Sequence, residues 1–398
     1  MNLQRIKRRK VFYIPGFDPF PARRYRELYR TNSKEQAAIS GYEIDQSALQ
    51  VSDGFGWQVR AIIEGSRCSV EIEMLEWSDL VKDTMRAGIT ATYIQLLRTA
   101  WIYLSCGALA DIFKLRKGPV IAALYPVGFL LGQLFIALAI TLFSGFILAI
   151  IHPSLFWLGA LIIWPVLEGF RHLDGRIFAY YLMQDYAFTA QFGGAYPPQL
   201  DHRLEQFEQK ITCAMAQDWD EVLVVGHSSG VHLAISVLAK LGRRGAIERA
   251  PMPVGFLSLG HVIPMATFLP DSAQLRRDLH NLSRLSNVFW VDVSAPGDGC
   301  SFALCDPVAV SGVAPKDKSG PLVISAAFTQ TLSPGRWKAM RWRFFRLHFQ
   351  YLCAFDRPAH YDYFQITAGP RSLKQRFEGR KASKSRIETA FARHRSMV

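Results

Sequence analysis

The sequence predicts an α/β fold, a mostly parallel sheet with helices on both faces, interrupted by a two-helix apolar hairpin of membrane length. Three observations carry this expectation. Short β-branched apolar runs alternate with helix-like stretches in the second half of the chain, the pattern of crossover units that cover both faces of a parallel sheet. No Asp, Glu, Lys or Arg occurs from Pro119 to Leu167, which is unusual for a soluble core. Finally, Gly226-His227-Ser228-Ser229-Gly230 stands between the apolar run 221–225 and the helix-like stretch 231–241. Strand, tight turn and helix make a nucleophile elbow, which holds a serine hydroxyl at the carboxyl edge of a sheet.

Taken in order, the first ten residues are basic and lead into residues 11–14, an apolar run too short for a signal peptide. They read as a basic arm entering a first strand at 10–14, which ends at Pro15-Gly16-Phe17. Residues 70–76 alternate as a second strand should, with 57–63 as its pairing partner. Ile94, Leu97, Trp101 and Leu104 recur at helical spacing around Gln95 and Arg98, which fits an amphipathic helix in a headgroup region or a core helix. In the second half, strands at 222–225, 254–259 and 288–293 alternate with helices at 232–241 and 272–285, and 346–355 is expected to be the last strand. The tail from Arg371 to Val398 holds nine Lys or Arg against two Glu, so a weakly ordered or helical arm is expected. The resulting organisation is a domain in two halves, 1–117 and 171–369, an inserted hairpin at 118–170 and a tail at 370–398.

A bilayer core takes about 20 helical residues per span, so the charge-free stretch fits two. They are placed at 120–142 and 147–167, reversing between Ser144-Gly145 and His152-Pro153-Ser154. Gln133 and His152 are the strongest polar groups within it, and Trp157 and Trp164 suit positions near the interfaces. Lys114, Arg116 and Lys117 precede the hairpin and Arg171 and Arg176 follow it, while the turn carries no Lys or Arg. That asymmetry puts both termini and the flanking domain in the cytoplasm. The competing reading is a buried helical pair or an apolar lid.

The formal charge is +13, but the excess sits at the two ends and beside the hairpin, without a nucleic-acid-binding motif. An anionic membrane surface accounts for it better than nucleic acid does. Six cysteines are scattered, and the spacing of Cys300 and Cys305 matches neither a zinc site nor a thiol redox motif. Reduced thiols are expected, with no metal and no cofactor.

A serine hydroxyl is hardly ionised at neutral pH and needs a base within hydrogen-bond reach. Imidazole suits that task. With Ser228 in the elbow and acids and histidines following it, the chain resembles the α/β-hydrolase family over roughly residues 10–79 and 201–369. The resemblance implies a triad in the order serine, acid, histidine: Ser228 as nucleophile, Asp298 just beyond the strand at 288–293, and His360 in the loop Arg357-Pro358-Ala359-His360-Tyr361-Asp362-Tyr363. His261 is the second choice of base, and Asp292 and then Asp306 stand behind Asp298. His227 is expected to pack the elbow. Oxyanion donors are expected from the backbone amides of Ser229 and of Phe17, where Gly16 allows close approach, although the family's longer glycine-rich lipase motif is absent. The activity this implies is a membrane-anchored serine hydrolase cleaving ester or thioester bonds of a hydrophobic, lipid-like acyl substrate through an acyl-enzyme. An inactive membrane-tethered interaction protein with the same fold, or an acyltransferase using the same triad, are the alternatives, and oligomeric state stays open.

Overall fold

Eight strands organise the chain: β1 (Arg8–Ile14), β2 (Glu43–Leu49), β3 (Phe55–Ile63), β4 (Ser66–Met74), β5 (Glu221–His227), β6 (Val254–Leu259), β7 (Val288–Ser294) and β8 (Leu322–Ser325). The computed structural model describes residues 5–51 and 54–398, so residues 1–4 of the expected basic arm lie outside the described residues. The strands form one mixed sheet in the order β2-β3-β4-β1-β5-β6-β7-β8. β1 runs parallel to β4 and β5, and β5 to β8 are parallel throughout. Antiparallel pairing is confined to one edge, β2 with β3 and β3 with β4.

Alternation across the pleat assigns the strand residues to two cores. Val11, Tyr13, Leu223, Val225, Leu257 and Leu259 pack into one buried cluster. Phe12, Ile14, Val222, Val224, Val254 and Phe256 pack into the other. Both faces are therefore covered, which is why β5 and β6 are buried at every position and read in sequence as continuous apolar runs.

Six strands fall where the sequence places them, and two were not legible. β2, Glu-Ile-Asp-Gln-Ser-Ala-Leu, is a half-exposed edge strand without an apolar run, and β8 has four residues. The expected last strand at 346–355 is instead a helix, Phe344–His348, followed by a 3-10 turn, Phe349–Leu352. Leu347, Tyr351 and Phe355, four residues apart, enter the same core from it; a short apolar run does not distinguish strand from helix by periodicity.

The apolar insertion is a helix, Lys117–Ile151, that reverses at His152-Pro153 and returns as a 3-10 helix, Pro153–Ile162, and an α-helix, Ile163–His172. The reversal lies at the late end of the expected window. Both segments are long and apolar enough to cross a membrane, and only 11% of the most apolar window in each is buried, so they are not core helices. The outgoing helix is about 52 Å long and the returning segment about 35 Å. The outgoing helix therefore extends further into the domain than its partner.

The tail is not a free arm. Leu373, Phe377 and Ala392 are buried, the Ile387 amide donates to the Leu304 carbonyl at 2.7 Å, and Arg393 pairs with Asp111 at 2.8 Å. Arg371 and Arg376 pair with Glu64, so part of its basic charge is held by carboxylates of the domain.

One buried ion pair ties the middle of the sheet to the C-terminal segment. Arg9 on β1 donates from Nε to Glu221 of β5 at 2.6 Å, and its other nitrogens donate to the carbonyls of Thr367, Gly369 and Arg371. Neither side chain is more than 1% exposed. Removing one partner strands a buried charge, which costs about 3–5 kcal/mol. Arg9→Met should lower the urea midpoint of the purified protein accordingly, and adding Glu221→Met should recover part of the loss.

Candidate active site

β5 ends in a turn that no L-residue adopts comfortably. Ser228 has φ 57°, in the left-handed region, where an ordinary side chain is strained by about 1–2 kcal/mol. The turn is held by the Ser228 amide donating to the Leu259 carbonyl of β6 at 2.9 Å and by the helix Gly230–Arg243 that follows it. Gly230 lies so close to β1 that a Cβ there would overlap the carbonyl oxygens of Ile14 and Pro15.

The loop after β1 runs directly against the serine. A Cβ on Gly16 would stand 2.8 Å from the Ser228 Cβ and 3.3 Å from its Oγ, so only glycine fits without displacing the hydroxyl. The Trp77 indole donates to the Pro15 carbonyl at 2.9 Å, and the Tyr181 hydroxyl donates to the Phe17 carbonyl. These two bonds hold the Pro15–Gly16 and Phe17–Asp18 peptides, which bracket the Gly16–Phe17 peptide that carries the Phe17 amide. Among the described residues, the amides of Phe17 and Ser229 donate to no protein acceptor, although both residues are buried. Unengaged buried amides beside a hydroxyl can stabilise an oxyanion.

Asp298 follows β7 and is wholly enclosed. Its Oδ2 accepts from His348 Nδ1 at 2.7 Å and from the Tyr351 hydroxyl at 3.0 Å, and its Oδ1 accepts from the Cys300 amide at 2.9 Å. Burial alone would push this carboxyl up, but the charge and hydrogen bond of His348 and the further donors outweigh it and hold the pKa below the ordinary value. With Nδ1 committed to Asp298, Nε2 of His348 is the ring nitrogen left for the cavity that His348 lines together with Ser228. His227 stacks on His348 with centroids 4.7 Å apart, and its Nε2 bonds the His348 carbonyl at 3.0 Å. Burial, then the neighbouring His348, lowers the His227 pKa to about 3, so it stays neutral as a packing residue.

His360 is not at this site. It is exposed on the loop before Tyr361 and does not line the cavity; the imidazole that reaches Asp298 is His348. The displacement follows from the misplaced last strand: β8 ends at Ser325, so the histidine lies in the helical segment after it, within residues expected to be extended. His261 and Asp292, the second choices, belong to a separate enclosed cluster. His261 bonds the Cys305 carbonyl at 2.9 Å and stands 3.8 Å from Asp292. Asp292 accepts from Ser258 at 2.7 Å, and its pKa is pushed by burial to about 6. Asp306 caps the helix Pro307–Val310 and pairs with Lys318.

No known family, curated protein or solved structure matches this chain. What the site can do must therefore be read from its own geometry.

The cavity over Ser228 is narrow, about 60 Å³, and two of its walls come from the insertion and its return. Pro119 and Ala122, in the first turns of the long outgoing helix, line one side. Tyr181, Asp185 and Tyr186, on the helix Ala179–Ala190 after the hairpin, line another. Asp185 was not legible as a site residue, since nothing in its local sequence sets it apart. Burial raises its pKa to about 7, against the opposing pull of His348 and a hydrogen bond from Ser229. Among the described residues no His, Cys, Asp or Glu cluster is arranged to hold a metal.

A carboxyl raised on folding destabilises the folded state only where it is ionised. The penalty is absent below about pH 4, the unfolded value, grows as the unfolded chain ionises, and is complete above about 7. Asp185→Asn should therefore raise Tm by roughly 2–4 °C at pH 8 and leave it unchanged at pH 4. Thermal melts of the two proteins at both pH values check this.

Proposed function

We propose that the protein is a membrane-anchored serine hydrolase of the α/β-hydrolase type, cleaving ester or thioester bonds of lipid-like acyl substrates. One observation carries the reading: an imidazole bonded to a buried carboxylate, His348 to Asp298 at 2.7 Å, lines the same cavity as a serine held on a strained turn. In this mechanism Ser228 Oγ attacks the acyl carbon while His348 Nε2 takes its proton. Asp298 holds the ring in the required tautomer and stabilises the imidazolium. The amides of Ser229 and Phe17 receive the negative charge that develops on the carbonyl oxygen. His348 then returns its proton to the leaving alcohol or thiol, and water activated by the same ring releases the acid from Ser228.

The membrane side of the proposal rests on exposed apolar surface. The hairpin segments are largely uncovered, and the returning one, at about 35 Å, matches a hydrocarbon core of about 30 Å. The excess length of the outgoing helix carries Pro119 and Ala122 past the end of the returning segment to the cavity, so on this reading the scissile group lies on the domain side of the bilayer. The helix Ile89–Ser105 supports the arrangement. Ile89 and Tyr93 pack on the spans beside Leu134, Ala137 and Leu167, whereas Ile94, Leu97, Trp101 and Leu104 are each at least 60% exposed. Leu96 packs with Leu130 and Tyr103 with Val120, so this helix runs alongside the domain-side half of the outgoing helix with its Trp101 end nearest the domain. An open apolar stripe there suits apolar surroundings that end at the cytoplasmic interface, and the basic residues on the outer ends of the hairpin fit the same side.

Purified full-length protein should hydrolyse short-chain acyl esters and be labelled by a fluorophosphonate. Ser228→Ala should abolish labelling, and Ser228→Ala or His348→Ala should each cut kcat by about 10⁴ or more, with His360→Ala within about twofold of the parent. Hydrolysis undiminished in Ser228→Ala would end the proposal. For the membrane arrangement, a variant retaining Trp101 as its sole tryptophan should be quenched by lipids brominated near the headgroup, and not by lipids brominated at the chain end.

A further inference from the structure

The helix Ala179–Ala190 lays Tyr181, Asp185, Tyr186 and Thr189 along the cavity wall facing Ser228. Both phenols are already engaged, Tyr181 with the Phe17 carbonyl and Tyr186 with the Ala122 carbonyl. Asp185 differs. No Lys or Arg lines the cavity, no ion pair reaches this carboxyl among the described residues, and its protein hydrogen bond comes from the neutral Ser229 side chain. A carboxylate offers about four acceptor positions, and this one lines a cavity whose walls include the rings of Phe17, Phe345 and Phe349 and, on the polar side, Ser228 and His348. A polar group in such surroundings is costly unless something supplies a donor.

We propose that Asp185 is a polar subsite for the leaving alcohol, accepting a hydrogen bond from a hydroxyl or protonated amine, so that the natural substrates are acyl esters of polyols or amino alcohols rather than of plain alkanols. The inference rests on the hydrolase reading above. The side of the scissile bond follows from His348: the leaving alcohol takes its proton from that ring, and Asp185 is near enough to His348 for the two to interact electrostatically. The alcohol portion is therefore the part of the substrate next to Asp185.

The test compares matched octanoate esters with the full-length protein in detergent. The glyceryl ester is set against the alkyl ester in which methyl groups replace its hydroxyls, and the dimethylaminopropyl ester against its branched alkyl isostere. The parent should favour the donor-bearing member of at least one pair by about tenfold or more in kcat/KM, and the pair that responds identifies hydroxyl or amine. In Asp185→Leu that ratio should fall to about one. Asp185→Asn serves as a near-isosteric second variant and should lose any preference for the amine. Equal use of both members of both pairs by the parent overturns the subsite while leaving the hydrolase reading intact, as does an unchanged ratio in Asp185→Leu or an undiminished amine preference in Asp185→Asn. Failure to hydrolyse any of the four esters overturns both.

Discussion

Ser228 can stand where it does only because three chain segments close on it with almost no space between them. Its left-handed backbone is strained, and the strain is sustained by β5, which is buried from end to end between β1 and β6. Gly230 lets the following helix start against β1, and Gly16 lets the loop after β1 pass beside the hydroxyl. The consequence is positional. The loop after β1, the elbow after β5 and Asp298 after β7 all emerge at the carboxyl ends of parallel strands, and His348 follows β8 in the chain. That edge of an open parallel sheet is where ligand sites form in α/β folds generally.

Two enclosed carboxyls, Asp298 and Asp292, and a partly buried one, Asp185, show how this region sorts charge. Burial raises all three alike, and the donors around each decide the outcome. Asp298 receives hydrogen bonds from His348, Tyr351 and the Cys300 amide and is held low. Asp292 has one close donor, Ser258, and keeps an unpartnered oxygen; it is driven up. Asp185 has, among the described residues, the Ser229 side chain as its donor and is driven up as well. Of the two raised groups, Asp292 has no access to the cavity over Ser228, whereas Asp185 opens onto it. The same physical penalty is thus internal in one case and available to a ligand in the other.

The hairpin is tied to this edge by length. A returning segment of about 35 Å beside a helix of about 52 Å leaves the longer helix with an end that must go somewhere, and it goes to the cavity wall. Tyr125 and Tyr186 reinforce the junction, donating to the carbonyls of Ile177 and Ala122. Movement of the insertion relative to the domain would therefore be felt at Pro119 and Ala122, next to the hydroxyl of Ser228.

Residues 221–241 carry their fold in local terms: a β-branched run, a turn with glycine at each end, and an amphipathic helix pattern. So do the apolar strands and the charge-free insertion, because hydrophobic period and length are properties of adjacent residues. β2 and β8 were not legible, one being polar and half exposed and the other only four residues long. The partner of Asp298 was equally beyond reach. His348 lies in an apolar run that suits strand or helix, and what brings its ring to Asp298 is the packing of Leu347, Tyr351 and Phe355 into a core assembled from distant segments. Asp185 is separated by more than forty residues from the elbow whose Ser229 bonds it. Sequence alone determined six of the eight strands, the strand–turn–helix at 221–241 and the apolar hairpin, since those follow from neighbours along the chain. Which imidazole and which second carboxyl share the serine's cavity was decided by long-range packing, because a side chain's pKa and reach depend on neighbours in space.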